Sequence, residues 1–218
     1  MPIAKKYLAD FEEEEIYHVY NRTNNKERLF LTDENRLFFL KRYAEILLPF
    51  VDTFCYNLLE NHFHLLIRVK NENQILQHLK KKQQVLPSER KFIHNEISFS
   101  ELIEHEFKRF FQSYSLALNK STKRKGNLFY KPFKRIKIER NNQFTMTLIY
   151  IHTNSMKHGL GNDFTKYKWS SWQSLISKKP TLLLRNEIIE WFGSLDLCKK
   201  AHIETSNDFY SFFFSIED

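Results

Sequence analysis

The stretch YNLLENHFHLLIRVK (Tyr56–Lys70) sets two histidines, His62 and His64, one residue apart inside a run that is otherwise largely apolar. VDTFCYNLL and NHFHLLIRV read as two strands that meet at a polar pair, Glu60–Asn61, the place for a tight turn. Successive side chains of a strand point to opposite faces. Phe63, Leu65, Ile67 and Val69 therefore share a wholly apolar face. His62, His64, Leu66 and Arg68 share the other, which reads as the less buried side. There the imidazoles stand about 6.5 to 7 Å apart along the strand. That spacing lets both converge on one divalent cation, and it equally suits ordinary surface or hydrogen-bonded histidines.

Working outward, EEIYHVYNRT alternates and reads as an earlier strand. LTDENRLFFLKRYAEILLPF has Thr32 or Asp33 as N-cap and apolar residues at helical spacing up to Pro49. ENQILQHLKKKQQ predicts a short helix, with a loop around Pro87 and Ser88. SELIEHEFKRFFQSYSLALN (Ser100 to Asn119) predicts a long amphipathic helix. NLFYKPFKRIKIE predicts a fourth strand in which Pro132 marks an edge or a bulge. NQFTMTLIYIHTNSMKH predicts a further helix, with Asn142 as N-cap and Gly159 as its stop. After Trp169 come WSSWQSLI, the helix-like RNEIIEWFG and the aromatic DFYSFFF. The order predicts an α+β fold, an antiparallel sheet with helices on one face. A first domain spans residues 1–170, and 171–218 form a C-terminal helical and aromatic extension.

Composition narrows the class. Only 4 Gly and 5 Pro in 218 residues, with 42% hydrophobic residues, make a folding chain with room for a substantial core. Cys55 and Cys198 are too far apart and too few for a disulfide framework. Apolar runs fall short of a membrane span, and the acidic N-terminal stretch is no secretory signal, so a cytoplasmic protein without a membrane partner is expected. The net charge is +8, and KSTKRKGNLFYKPFKRIKIER (120–140) alone holds nine Lys or Arg against one acid, Glu139, an excess equal to that of the whole chain. With Phe129, Tyr130 and Phe133 interleaved, the segment suits a phosphate backbone plus stacked, unpaired bases. A solvated basic loop is the plainer alternative. Lys80 to Lys82 with Arg90 and Lys91 form a second basic cluster, which favours nucleic acid.

On the helix near residue 150, Tyr150 and Asn154 lie one turn apart on one face, and Met146 and His158 extend that stripe. Phe144, Leu148 and Ile151 form the adjacent stripe that docks on the sheet. A phenol beside an amide oxygen offers a nucleophile and a metal ligand; a half-buried core tyrosine and a surface asparagine are the alternative.

In order along residues 14 to 176 come YHVYNRTNNKERLF, NHFHLLI, GNLFYKPFKRIKI, YIHTNSMKHGL and KWSSWQSL. Together they resemble the single-tyrosine HUH transposases, in particular the REP-associated tyrosine transposase branch. The resemblance implies a ferredoxin-like fold with the histidine pair on a central strand. It implies Mg²⁺ or Mn²⁺ held by His62, His64 and Asn154, with Tyr150 as the nucleophile. The implied partner is single-stranded DNA bearing hairpins, cut beside the hairpin through a 5′-phosphotyrosine and then rejoined, by a monomer or a homodimer. Asn21, Arg22, Lys123, Arg124, Lys125, Lys131, Lys134 and Arg135 become the expected DNA contacts. Ser155 stands where many members of the family carry proline. A hairpin-binding protein without chemistry, or a nuclease that uses water, would be built on the same frame.

Overall fold

Strand β3 (His62–Val69) lies inside a four-stranded sheet, so both of its faces have to be covered. The computed structural model describes residues 4–212, with side chains as far as 206 except for Lys5. With β1 (Ile16–Arg22), β2 (Val51–Leu58) and β4 (Lys134–Lys137), the strand order is β2-β3-β1-β4 and every pair is antiparallel. Helix α1 (Asp33–Ile46) connects β1 to β2, while α2 (Glu72–Lys81), α3 (Pro87–Ile93) and α4 (Phe99–Thr122) lie between β3 and β4. This is the ferredoxin-like α+β arrangement. β4 is an edge strand, and Pro132 falls just before it.

The apolar face of β3 builds the larger core. Phe63, Leu65, Ile67 and Val69 pack with Tyr17 and Val19 of β1, Phe39 and Tyr43 of α1, and Phe107, Phe110 and Tyr114 of α4. Phe39 sits at the junction, with ring centroids 5.1 Å from Phe63 and 4.8 Å from Phe110. Helix starts follow side-chain caps: Thr32 on α1, Asn71 on α2 and Ser98 with Glu101 on α4, whose cap lies two residues before the expected Ser100. Pro87 does not sit in a loop. It opens α3, where its fixed φ and missing N–H suit the first turn, and the Glu89 carboxylate accepts the N–H of Leu86 at 2.8 Å.

Helices α1 and α4 occupy the face expected for them, but α5 (Asn141–Lys157) lies across the opposite face. Its Phe144, Leu148 and Ile151 pack against Phe54 and Cys55 of β2 and Leu66 of β3. The amide of Asn57, cross-strand neighbour of His64, donates to the carbonyl of Ile151 at 2.7 Å. The histidine side of β3 remains the less buried one, as expected, yet this docking covers its middle. His64 and Leu66 are fully buried, and only His62 and Arg68, at the two ends, keep partial exposure. Helix α5 starts after Arg140, without a side-chain cap from the expected Asn142, and ends as expected with Gly159 at positive φ.

Beyond residue 170 the chain continues to build on α5. Helices α6 (Trp172–Ile176), α7 (Arg185–Phe192) and α8 (Leu195–Phe212) supply Trp172, Leu175, Ile188 and Cys198 to the α5 core. Arg68, the outermost residue on the histidine side of β3, is bidentate to Glu187 of α7 at 2.7 and 2.9 Å. The side chains of the aromatic stretch DFYSFFF lie outside the described residues.

Helix α8 is joined to α5 through two buried imidazoles. His202 Nδ1 donates to the Cys198 carbonyl at 2.8 Å, so its Nε2 accepts from His152 Nδ1 at 3.0 Å, and His152 Nε2 accepts from the Ser171 hydroxyl at 2.9 Å. Burial pushes His202 down to about 4 and holds His152 well below the usual imidazole value. In the unfolded chain both titrate near 6.5. Between about pH 6.5 and 4 the unfolded state therefore binds more protons, and stability present above that window is lost as pH falls through it. The urea midpoint is expected to drop from pH 7 to pH 5, and the drop to shrink in His202→Leu. A midpoint unchanged over that range, or a drop as large in the variant, contradicts the buried neutral pair.

Candidate active site

The register between β1 and β3 decides which side chains meet. Arg22 lies opposite His62, Tyr20 opposite His64 and His18 opposite Leu66, so six residues of two strands share the face beneath α5. His18 Nε2 is 2.9 Å from His64 Nδ1, and the Tyr20 ring stacks 5.5 Å from that of His64. From above, Tyr150 meets His64 edge-on at 5.6 Å, and His158, two turns later, meets His62 edge-on at 4.5 Å. Asn154 lies midway along the same stripe of α5, between these two contacts. The structure thus brings Tyr150, His62 and His64 together. Tyr150 is only 7% exposed, while His158 marks the open end of the group.

His64 titrates far below the usual imidazole range, first because it is buried and then because His18, His62, His158 and Lys157 surround it with like charge. It stays neutral, the form that can ligate a metal. His62 Nδ1 lies 2.6 Å from Asn61 Oδ1, an atom that only accepts, so the ring proton is on Nδ1 and the lone pair is on Nε2. The amide of Asn154 is 1% exposed, and neither its oxygen nor its nitrogen has a hydrogen-bond partner. Such an amide carries a desolvation cost of about 1–3 kcal/mol, which coordination of its oxygen would offset. Among the described residues no three or more His, Cys, Asp or Glu are gathered to hold a metal ion, and any third donor beside these two imidazoles would be of another type. Two imidazoles with the Asn154 oxygen fit a divalent cation on these terms.

Two members of the cluster were missed in the sequence, His18 and Tyr20. The signal was present, since alternation in YHVYNR puts both on one face together with Arg22. Lys157 is a third addition, its ammonium 5.6 Å from the centroid of the Tyr150 ring.

The expected DNA contacts separate into two groups. Lys123, Lys125 and Lys131 are exposed, as is Arg22, and Lys134 is half-buried with its ammonium over the rings of Tyr7 and Tyr20. Arg135 is buried, bonded to the Ala9 carbonyl at 2.6 Å and to Glu104 at 3.1 Å. Arg124 is bound to Glu27 and to the carbonyls of Gly126 and Asn127, and Asn21 is buried with its amide on the Tyr130 carbonyl. These three make internal bonds: Asn21 and Arg124 hold the loop before β4, and Arg135 ties β4 to the N-terminal segment and α4. Arg135→Ala is expected to lower unfolding stability by about 1–2 kcal/mol, since it strands the Ala9 carbonyl and leaves Glu104 with Lys108 alone. Lys125→Ala is expected to leave it within about 0.5 kcal/mol. Urea titrations decide, and equal effects would remove the distinction.

No family model matches the chain, and no curated protein matches it. Among solved structures, it is similar to a REP-associated tyrosine transposase bound to a REP hairpin. The TM-score is 0.55 and the identity 13%, over 83% of this chain and 89% of that one. A likeness at this identity is one of fold. No helix among the described residues is long and apolar enough to cross a membrane.

Proposed function

We propose that this chain is a single-stranded DNA strand transferase, which cleaves beside a hairpin through Tyr150 and rejoins the strand. The observation that carries the reading is the seating of Tyr150 on α5 directly over His64 of the paired-histidine strand. The fold shared with a transposase bound to a REP hairpin, and the net charge of +8, support a DNA partner.

Mg²⁺ or Mn²⁺ held by His62, His64 and the Asn154 oxygen would withdraw charge from the scissile phosphate. The chain's own groups do the rest. A free tyrosine ionises only near pH 10, and the Lys157 ammonium is the positive charge on α5 that favours a developing phenolate. The Tyr150 oxygen forms a bond to phosphorus as the bond to the 3′ oxygen breaks, and the phenol's proton ends on the released 3′-hydroxyl. The 5′-phosphotyrosine keeps the energy of the phosphodiester, so attack by an incoming 3′-hydroxyl rejoins a strand without ATP. His18 holds His64 by its ring nitrogen and so orients it.

Labelled single strands carrying hairpins with varied unpaired flanks, incubated with protein and Mn²⁺ and resolved on denaturing gels, test this. A covalent adduct is expected with the wild type and none with Tyr150→Phe. His64→Gln is expected to lose cleavage but keep most hairpin affinity, which comes mainly from backbone charge. Free cleaved product that persists in Tyr150→Phe would point to water as the nucleophile. Binding without cleavage across the set would leave a hairpin-binding protein.

A further inference from the structure

The basic segment contains three aromatic residues, and the structure treats them differently. Phe129 and Phe133 are buried in the main core, with their rings against Phe111. Tyr130 is 44% exposed, and the guanidinium carbon of Arg22 lies 4.8 Å from its ring centroid. An exposed ring with a guanidinium over one of its faces is the chemistry that holds an unpaired base, by stacking and by cation–π attraction.

Two further observations give this pair a place and a rigidity. Arg22 is the cross-strand partner of His62, so its side chain leaves the sheet on the His62 side, one strand-to-strand step of roughly 5 Å away. The backbone of Tyr130 is bound at both ends: its N–H donates to the Arg22 carbonyl at 3.0 Å, and its carbonyl accepts from the buried Asn21 amide at 3.2 Å. Asn24 reinforces the loop, with its N–H on the Leu128 carbonyl and its amide on those of Asn127 and Phe129. A platform fixed before the ligand arrives loses little conformational freedom on binding. Lys125 and Lys131, on the same segment, are exposed cations for the flanking phosphates.

We infer that Tyr130 and Arg22 form a stacking platform for one unpaired nucleobase beside the strand-transfer centre, and that it sets where the single strand lies relative to His62. This rests on the function proposed above and adds the positioning element on the substrate side. Stacking is available to every base, so the platform binds an unpaired nucleotide without choosing among the four.

The test uses a 20-nucleotide single strand with 5-iodouracil at scanned positions, irradiated with the full chain and mapped by mass spectrometry, alongside affinity measurements. The expected cross-link is to Tyr130. Affinity is expected to fall about tenfold in Tyr130→Ala and to return in Tyr130→Phe, which keeps the ring. Arg22→Lys is expected to recover less than Arg22 itself, since an ammonium lacks the planar overlap. Cross-links confined to other residues, or a Tyr130→Ala variant that binds like the wild type, overturn the platform. Neither result touches the Tyr150 adduct. Conversely, a Tyr130 cross-link in a protein that forms no adduct keeps the platform and removes the transferase.

Discussion

The antiparallel pairing of β1 with β3 is the constraint on which the rest hangs. Its register sets Arg22, Tyr20 and His18 opposite His62, His64 and Leu66, and so chooses the members of the cluster two at a time. A slip of one residue would turn the β1 set to the other face, leaving His64 without His18 and placing three polar side chains in the aromatic core. The register is held from that core, where Tyr17 and Val19 on the alternate positions of β1 pack with Phe63, Leu65 and Ile67. Packing on one side of the sheet thus fixes the chemistry on the other.

The histidine face carries a polar load that a plain sandwich would not. His18, His64 and Asn57 are buried beneath α5 and Asn154 on it, and the Asn154 amide lacks a hydrogen-bond partner. Such groups cost stability, and the fold offsets them by clamping α5 from three directions. Asn57 holds its backbone, Phe144 and Leu148 fill the space over β2, and the His152–His202 bond ties its far side to α8. The residues past 170 are therefore more than an appendage to the site, because they fix the helix that carries Tyr150.

Much of this was readable in the sequence, for identifiable reasons. Alternation in NHFHLLIRV gave the two faces of β3 correctly, and helical spacing put Tyr150, Asn154 and His158 on one stripe. What spacing does not reveal is which face a distant helix covers. His64 was read as lying on the less buried side, and its full burial was not foreseen because nothing local says which face α5 covers when it returns to the sheet about 80 residues later. Register is likewise nonlocal, which hid His18 and Tyr20 although both stood in a correctly read strand. Charge alone does not separate buried from exposed cations. Arg124 and Arg135 look like their neighbours in a basic run, and only the positions of Glu27, Glu104 and the Ala9 carbonyl separate scaffold from surface.

The seating of α5 on the sheet of its own chain has a genetic consequence. Strand histidines and helix tyrosine meet within one polypeptide, 5.6 Å apart between rings, and no second copy is required to bring them together. Two defective alleles, one missing the imidazole and the other the phenol, would each yield a centre lacking a different half. On the function proposed above, and where each Tyr150 acts on the His64 of its own chain, neither product lends the other what it lacks and the two alleles would fail to complement.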